Sequence, residues 1–108
     1  VAPNVGIAVG RLAARGAIRV EQRAARADDV AGAWYVLAAS NDPTVNEMIA
    51  AEAERQHTFC VRADHAAAGS AATPATASAG GLTVAVVGDR NPRRSVRVRD
   101  ELLRILQD

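Results

Sequence analysis

Three observations predict that this chain folds as an α/β domain built around a parallel sheet. Short apolar runs alternate along the chain with segments whose apolar residues recur every three or four positions. The run at residues 34–39 is apolar throughout, which is typical of a strand buried on both faces of such a sheet. Residues 40–43 follow it directly and form a strong helix start. Alternating strands and helices of this kind form βαβ units with right-handed crossovers.

The composition fits a single small globular domain. The 108 residues are 49% hydrophobic and 23% charged, a balance that buries a core, and we expect that core to be thin and made of Val, Leu, Ile and Ala. The net charge of +1 gives no reason to expect general binding to nucleic acid or to a membrane. Cys60 has no partner for an internal disulfide, and no apolar run has membrane length. We therefore expect a cytoplasmic protein.

The first half of the chain contains most of the predicted strand and helix pattern. Residues 1–3 resemble the end of a buried strand, so we expect a further segment upstream of Val1. Apolar spacing predicts a helix from residue 5 to about Gly16. The remaining elements in this half are a half-exposed strand at 17–23, a turn at 28–32, the strand at 34–39, a helix from Pro43 to about Gln56, and a short buried strand at 58–61.

The second half is less regular. Residues 65–81 are rich in Ala, Ser, Thr and Gly, and we predict a long loop there. Residues 82–87 are predicted to form a strand, and residues 88–92 a turn. The final helix has an apolar stripe that includes Val96, Leu102, Leu103 and Leu106.

Polar residues follow the strand at 34–39 at the point where it passes into a helix. Ser40, Asn41 and Asp42 should therefore lie at the carboxyl edge of the sheet, where open α/β folds bind their ligands. A helix that starts there favours an anionic or polyhydroxyl ligand such as a dinucleotide. The alternative is that these three residues only cap the helix, since they are preferred capping residues.

Asp64 lies just after the next strand and should reach the same sheet edge. Its carboxylate could transfer a proton if its surroundings raise its pKa towards neutral pH. The alternative is an aspartate that only forms a turn. His57 and His65 match no zinc pattern with the single cysteine, and we expect both to be surface residues.

A cluster of arginines surrounds the start of the last helix. Guanidinium groups beside a helix N-terminus suit a ligand with several carboxylates. The alternative is a solvated helix face that is partly neutralised by neighbouring acidic residues. The cluster comprises Arg90, Arg93, Arg94, Arg97 and Arg99.

The order of these motifs resembles the siroheme synthase family. Residues 29–46 resemble the family stretch "DL-GA-LVIAATDD-VN", and Val1-Ala2-Pro3 resembles the "VVAP" that ends its second strand. Weaker matches continue in order to residues 97–102, so the resemblance covers essentially the whole chain. The "AATDD-VN" core is the specific part of the match.

The resemblance implies NAD-dependent oxidation of precorrin-2 to sirohydrochlorin, and in many members a second reaction that inserts ferrous iron to give siroheme. The aspartate of the family motif "NVVD", which is thought to act as acid and base, aligns with Asp64. The residues that border the nucleotide align with Ala39, Ser40, Asn41, Asp42, Val45 and Asn46. The implied fold is a partial Rossmann-like NAD-binding region at residues 1–64, followed by part of a dimerisation and tetrapyrrole-binding region at residues 65–108. Family members are homodimers.

This sequence departs from the family pattern in three places. The opening strand with its Gly-rich phosphate turn is not among these residues, and without its backbone donors the pyrophosphate lacks its principal cradle. The "NVV" that precedes the aspartate is Val61-Arg62-Ala63 here. The "SSGG-SP" turn is replaced by residues 87–92 and is one residue shorter, and we expect Arg90, Arg93 and Arg94 to bind the substrate carboxylates in its place.

Two alternative functions remain open. One is a non-catalytic dimerisation or tetrapyrrole-holding module that kept the fold and lost the chemistry. The other is an unrelated nucleotide-binding regulatory domain.

Overall fold

A parallel strand pair and an antiparallel hairpin organise the chain, whose computed structural model describes residues 1–88 and 91–108. The elements in order are α1 (Ile7–Ala14), β1 (Tyr35–Ala38), α2 (Pro43–Arg55), β2 (Phe59–Arg62), β3 (Ala75–Ala79), β4 (Leu82–Val86) and α3 (Pro92–Gln107). Short 3₁₀ helices lie at Ala27–Val30 and Ala66–Ala68. The β1–α2–β2 unit is the βαβ arrangement expected of a partial Rossmann-like region, so the predicted α/β class is confirmed.

The core lies between α2 and one face of the β1–β2 pair. The two strands are parallel, with Tyr35 opposite Phe59 and Ala38 opposite Arg62. The core residues are small or β-branched, as expected from the composition, and comprise Val30, Ala38, Ile49, Ala53 and Cys60.

The second face of β1 is not buried. Tyr35 and Leu37 are 55% and 58% exposed, so the prediction of a strand buried on both faces is wrong. Helix α2 covers only the face that carries Val36 and Ala38. Leu37 instead forms part of the wall of a cleft, together with Val61 of β2.

Local signals fix both ends of α2. The Asp42 carboxylate accepts a hydrogen bond from the Thr44 amide at 2.9 Å, and Pro43 occupies the first turn. The helix ends at Arg55, and His57 then adopts a left-handed φ of 55° that turns the chain into β2. These bounds confirm the predicted helix.

The outer edge of β2 is held by the segment that follows the second 3₁₀ helix. The amides of Ser70 and Ala71 donate to the Cys60 carbonyl oxygen at 2.9 and 3.1 Å, and the Ser70 hydroxyl accepts from the Cys60 amide at 2.9 Å. Gly69 makes this close approach possible, since a Cβ there would lie 2.6 Å from the Cys60 carbonyl oxygen.

The hairpin corrects the prediction of a long loop at residues 65–81. Its first strand, β3, pairs antiparallel with β4, and Gly80 and Gly81 form the turn with φ of 58° and 77°. Helix α3 packs against both strands. The strand was missed because Ala75–Ala79 contains only Ala, Thr and Ser, which give little hydrophobic contrast.

The region before β1 follows the sequence prediction in part. Helix α1 forms and is followed by Gly16, whose φ is 72°. Residues 17–23 form no strand within the described chain, contrary to the prediction. The Glu21 carbonyl oxygen instead accepts hydrogen bonds from the amides of Ala2 and Arg23, both at 3.1 Å.

Candidate functional site

The turn between β1 and α2 is held from below by Asn46. The Asn46 Oδ1 accepts hydrogen bonds from the Ser40 amide at 3.0 Å and from the Ser40 hydroxyl at 2.8 Å, and its Nδ2 donates to the Ser40 carbonyl oxygen at 2.9 Å. Only 1% of Asn46 is exposed. Asn46, which the sequence suggested as a cofactor contact, therefore lies under the turn and fixes its shape.

The upper side of the same turn is open to solvent. Ala39, Ser40, Asn41 and Asp42 are exposed, and Val45 is half-buried. Of the residues predicted to border the nucleotide, the structure thus brings Ala39, Ser40, Asn41 and Asp42 to one accessible edge. Val45 packs against the core, and Asn46 lies behind the turn.

The chemistry of this turn suits sugar hydroxyls better than phosphates. The Asp42 carboxylate occupies the N-terminus of α2, where it caps Thr44, and Pro43 has no amide to offer. A second anion at this helix end would be repelled by that carboxylate. A ribose hydroxyl fits instead, because it can donate to a carboxylate and accept from an amide.

Asp64 lies beside this turn at the end of β2. The Ala63 amide donates to the Ala38 carbonyl oxygen at 3.0 Å, which continues the strand pairing past Arg62 and brings Asp64 to the end of β1. The Asp64 side chain is 26% exposed. Asp64 and the β1–α2 turn therefore share one edge of the sheet, as the sequence predicted.

The carboxyl of Asp64 is bound by Arg62. The Arg62 Nε donates to Oδ1 at 3.1 Å and its Nη2 donates to Oδ2 at 2.8 Å. The pKa of Asp64 is lowered to about 2, and these bonds are the largest cause. Burial acts in the opposite direction, and the amide of Asn46 adds to the lowering. The raised pKa that would favour proton transfer by Asp64 is therefore not found, and Asp64 is a carboxylate at neutral pH.

A cleft of about 670 Å³ opens in front of Asp64. Its volume lies within the range of about 300–1,000 Å³ that is usual for small-molecule sites. Its polar groups include Arg62, Asp64 and His65 on the β2 side. The sequence did not indicate most of its wall, which includes Leu37, Val61, Thr73, Pro74, Val86, Val87, Ser95 and Val96.

The N-terminal turn of α3 forms the side of the cleft opposite Asp64. Asn91 caps this helix by accepting a hydrogen bond from the Arg94 amide at 3.0 Å, and Asn91 also lines the cleft. Arg94 borders a smaller cleft of about 350 Å³ formed with Val87, Gly88 and Ser95.

The arginines of the predicted cluster lie in different environments. Arg93 is exposed on the first turn of α3. Arg99 donates hydrogen bonds to Asp100 at 2.9 and 2.6 Å, which fits the alternative of a solvated helix face for this residue. Arg90 lies outside the described residues.

The two histidines differ in position. His65 follows Asp64 and lines the main cleft, whereas His57 is exposed in the turn after α2. Neither belongs to a cluster of His, Cys, Asp and Glu side chains suited to a metal ion in the described part of the chain. Over residues 1–88 and 91–108, no helix is both long and apolar enough to cross a membrane.

Comparison with protein families gives a match over most of the chain. A family model described as "Putative NAD(P)-binding" matches residues 1–75, which include the β1–α2 turn and Asp64. No curated protein sequence matches the chain.

Proposed function

We propose that this chain, which belongs to the family of NAD(P)-binding domains, is a precorrin-2 dehydrogenase. Such an enzyme oxidises precorrin-2 to sirohydrochlorin with NAD in siroheme biosynthesis. The family match supports the cofactor class. The resemblance of residues 29–46 to siroheme synthases supports the substrate.

One observation carries the proposal. Asp64 lies between the polar turn after β1 and the cleft of about 670 Å³, and Asn46 interacts with both Ser40 and Asp64. A cofactor on the turn and a substrate in the cleft would therefore meet at Asp64. This is the arrangement that hydride removal coupled to proton removal requires.

The residues that would hold the cofactor are those on the open side of the turn. Ser40, Asn41 and Asp42 would hold ribose hydroxyls, and Ala39 and Val45 would provide apolar contact beside them. When bound, the nicotinamide ring supplies an acceptor for a hydride. The chain's own task is to orient the two molecules and to remove a proton.

Asp64 would accept that proton. Oxidation of precorrin-2 to sirohydrochlorin removes two hydrogens, one with its bonding electron pair and one as a proton. A bound nicotinamide would supply the acceptor for the first, as hydride, and an Asp64 carboxylate oxygen would take the second, forming an O–H bond before the proton passes to water. Because the pKa of Asp64 is about 2, the side chain is ionised at neutral pH but is a weak base, so a proton taken from the substrate would pass quickly to solvent.

The acidic side chains of the substrate would bind near the start of α3. Arg93 and Arg94 lie on the first turn of this helix, next to cleft residues Asn91 and Ser95. Guanidinium groups bind carboxylates through paired hydrogen bonds. We include Arg90 in this set on the sequence alone. Insertion of ferrous iron at the same site and assembly as a homodimer are further parts of the proposal, and both come from the family resemblance.

The Arg62–Asp64 ion pair favours a second candidate function, a non-catalytic module that holds a tetrapyrrole. A carboxylate held by a buried arginine is a weak base. In that case the cleft would bind sirohydrochlorin without oxidising its precursor.

Formation of NADH from precorrin-2 separates the two candidates. The assay compares the full-length wild-type protein with Asp64→Ala and with Asp28→Ala, an exposed aspartate that does not line the cleft. We expect activity in wild type and Asp28→Ala, and a loss of at least about 100-fold in Asp64→Ala. An inactive wild type that still binds sirohydrochlorin would replace the dehydrogenase with the holding module.

A further inference from the structure

We propose that Arg62 is a positioning residue for the oxidation: it fixes the Asp64 carboxylate at the wall of the cleft as an oriented proton acceptor. This inference rests on the proposed function. It adds a role for a residue at which the sequence departs from the family motif.

The geometry of the pair is specific. Two nitrogens of one guanidinium group reach two oxygens of one carboxylate, at 3.1 and 2.8 Å. This paired contact fixes the plane of the carboxylate as well as its position. Arg62 and Asp64 both line the cleft, so a substrate bound there lies beside the paired groups.

The burial of Arg62 makes the contact persistent. The Arg62 side chain is 9% exposed, whereas that of Arg104 in the Arg104–Glu101 pair on α3 is 69% exposed. Exposed pairs of the latter kind exchange readily with water. A buried guanidinium requires its partner, because an unpaired buried charge is strongly unfavourable. Arg62 therefore holds Asp64 in one orientation before any substrate arrives.

The other charged or titratable groups around this pair are few in the described chain. Glu47 of α2 and Cys60 of β2 interact electrostatically with Arg62, and burial raises the pKa of the Cys60 thiol. His65 follows Asp64 directly and lines the cleft. The described cleft residues of β4, of α3 and of the segment between them have no titratable side chain. They are Val86, Val87, Gly88, Asn91, Pro92, Ser95 and Val96. Arg62 is thus the dominant charge that acts on Asp64.

The first test measures the titration of Asp64 without any cofactor or substrate. Carbon-13 NMR follows the Asp64 carboxyl in the wild-type chain, with Asp64→Asn used to assign the signal. We expect a wild-type midpoint near 2 and a higher midpoint in Arg62→Gln, because that variant lacks the largest cause of the lowered pKa. Arg55→Gln is the control: it removes the Arg55–Glu52 ion pair on α2 and should leave the Asp64 midpoint unchanged. A wild-type midpoint near 4, or equal midpoints in wild type and Arg62→Gln, would overturn the inference.

The second test separates positioning from a purely structural contact. In Arg62→Gln we expect the acidic limb of the pH profile of kcat/KM to move to higher pH, by the same number of pH units as the NMR midpoint. We also expect kcat at pH 7 to fall by about 10- to 100-fold, because the carboxylate loses its orientation. Arg62→Lys keeps the charge and loses the paired geometry, so its acidic limb should stay near the wild-type position while kcat remains low.

These outcomes also distinguish this inference from the proposed function. If Arg62→Gln does not fold, the wild-type titration and Arg62→Lys decide the matter. A wild-type protein that shows the low Asp64 midpoint but forms no NADH would refute the proposed function and support the fixed carboxylate. An active wild type whose kcat is unchanged in both Arg62 variants would refute the positioning role alone.

Discussion

Asn46 is joined to Ser40 by three hydrogen bonds, two accepted by its side-chain oxygen and one donated by its side-chain nitrogen. The same amide also lowers the pKa of Asp64. A single buried side chain thus connects the exposed turn after β1 with the carboxylate at the end of β2. The shape of the proposed cofactor contact depends on this residue, which also adds to the effect of Arg62 on the pKa of Asp64.

Replacement of Asn46 by alanine should therefore loosen the turn. We expect Asn46→Ala to lower the free energy of unfolding by about 1–3 kcal/mol, because three part-buried hydrogen bonds to Ser40 are lost. Affinity for NAD should fall as well. Urea denaturation and a fluorescence titration with NADH measure the two effects. Asn4→Ala, at an exposed position, is the control. Equal stability of Asn46→Ala and wild type would contradict the role of Asn46 in holding the turn.

Gly69 and Gly10 make a matched pair of substitutions with opposite expected signs. A Cβ at Gly69 would lie 2.6 Å from the Cys60 carbonyl oxygen, so Gly69→Ala must displace the backbone that closes the β2 edge. We expect it to cost about 1–3 kcal/mol of stability. Gly10 lies inside α1 with nothing within 4 Å of its Cβ position, so Gly10→Ala should stabilise by about 0.5–1 kcal/mol. Urea midpoints of the two variants check both signs. A neutral Gly69→Ala would show that the close approach is absent.

Acid should destabilise the protein over a defined range of pH. Hydrogen bonds from Arg62 lower the pKa of Asp64 to about 2, and hydrogen bonds from Arg55 and Gln56 lower that of Glu52 to about 2. Both carboxyls bind protons near pH 4 in the unfolded chain. Since the folded-state pKa is the lower one, their contribution to stability is present above about pH 4 and is lost as the pH falls towards 2.

Thermal unfolding at pH 6, 4, 3 and 2.5 measures this effect. We expect the melting temperature to fall steadily below pH 4, and to fall less steeply in Asp64→Asn and in Glu52→Gln than in wild type. Asp28→Asn, in which the replaced carboxyl is exposed, should follow the wild-type curve. Identical slopes in all four proteins would show that the two ion pairs do not contribute.

The core between α2 and the strands should be sensitive to lost volume. Ile49 is 7% exposed and packs against Ala38 and Cys60 in the same cluster. We expect Ile49→Ala to lower stability by about 2–5 kcal/mol. Ile7→Ala, at a helical position that is 78% exposed, should change it by less than about 0.5 kcal/mol. Similar losses in the two variants, measured by urea denaturation, would contradict the position of the core.

The sequence predicted the parts of the site that depend on neighbouring residues. Ser40, Asn41, Asp42 and Pro43 carry their capping preferences locally, so the β1–α2 turn and its place at the sheet edge followed from the pattern. The position of Asp64 followed from the next strand in the same way. The lowering of its pKa could not be predicted in this way. It depends on Arg62, and whether Arg62 contacts a residue two positions along the chain is decided by the backbone path at the strand end.

The cleft could not be predicted from local pattern. Its walls come from β1, β2, β4 and α3, and apolar residues such as Leu37 and Val86 have the same local pattern as residues of a closed core. Strand β3 was missed because its side chains are small, although Gly80-Gly81 ahead of an apolar run is a hairpin signal. These features depend on how distant segments pack.

The most direct test of the account is a single-turnover reaction of precorrin-2 with NAD, followed by NADH absorbance, in the full-length wild-type protein and in Asp64→Asn. The asparagine keeps the shape of the side chain and removes the proton acceptor. We expect one NADH per precorrin-2 in wild type. In Asp64→Asn we expect unchanged binding of both molecules, with NADH formed at least about 100-fold more slowly. Equal rates in the two proteins would contradict the claim that Asp64 accepts the proton.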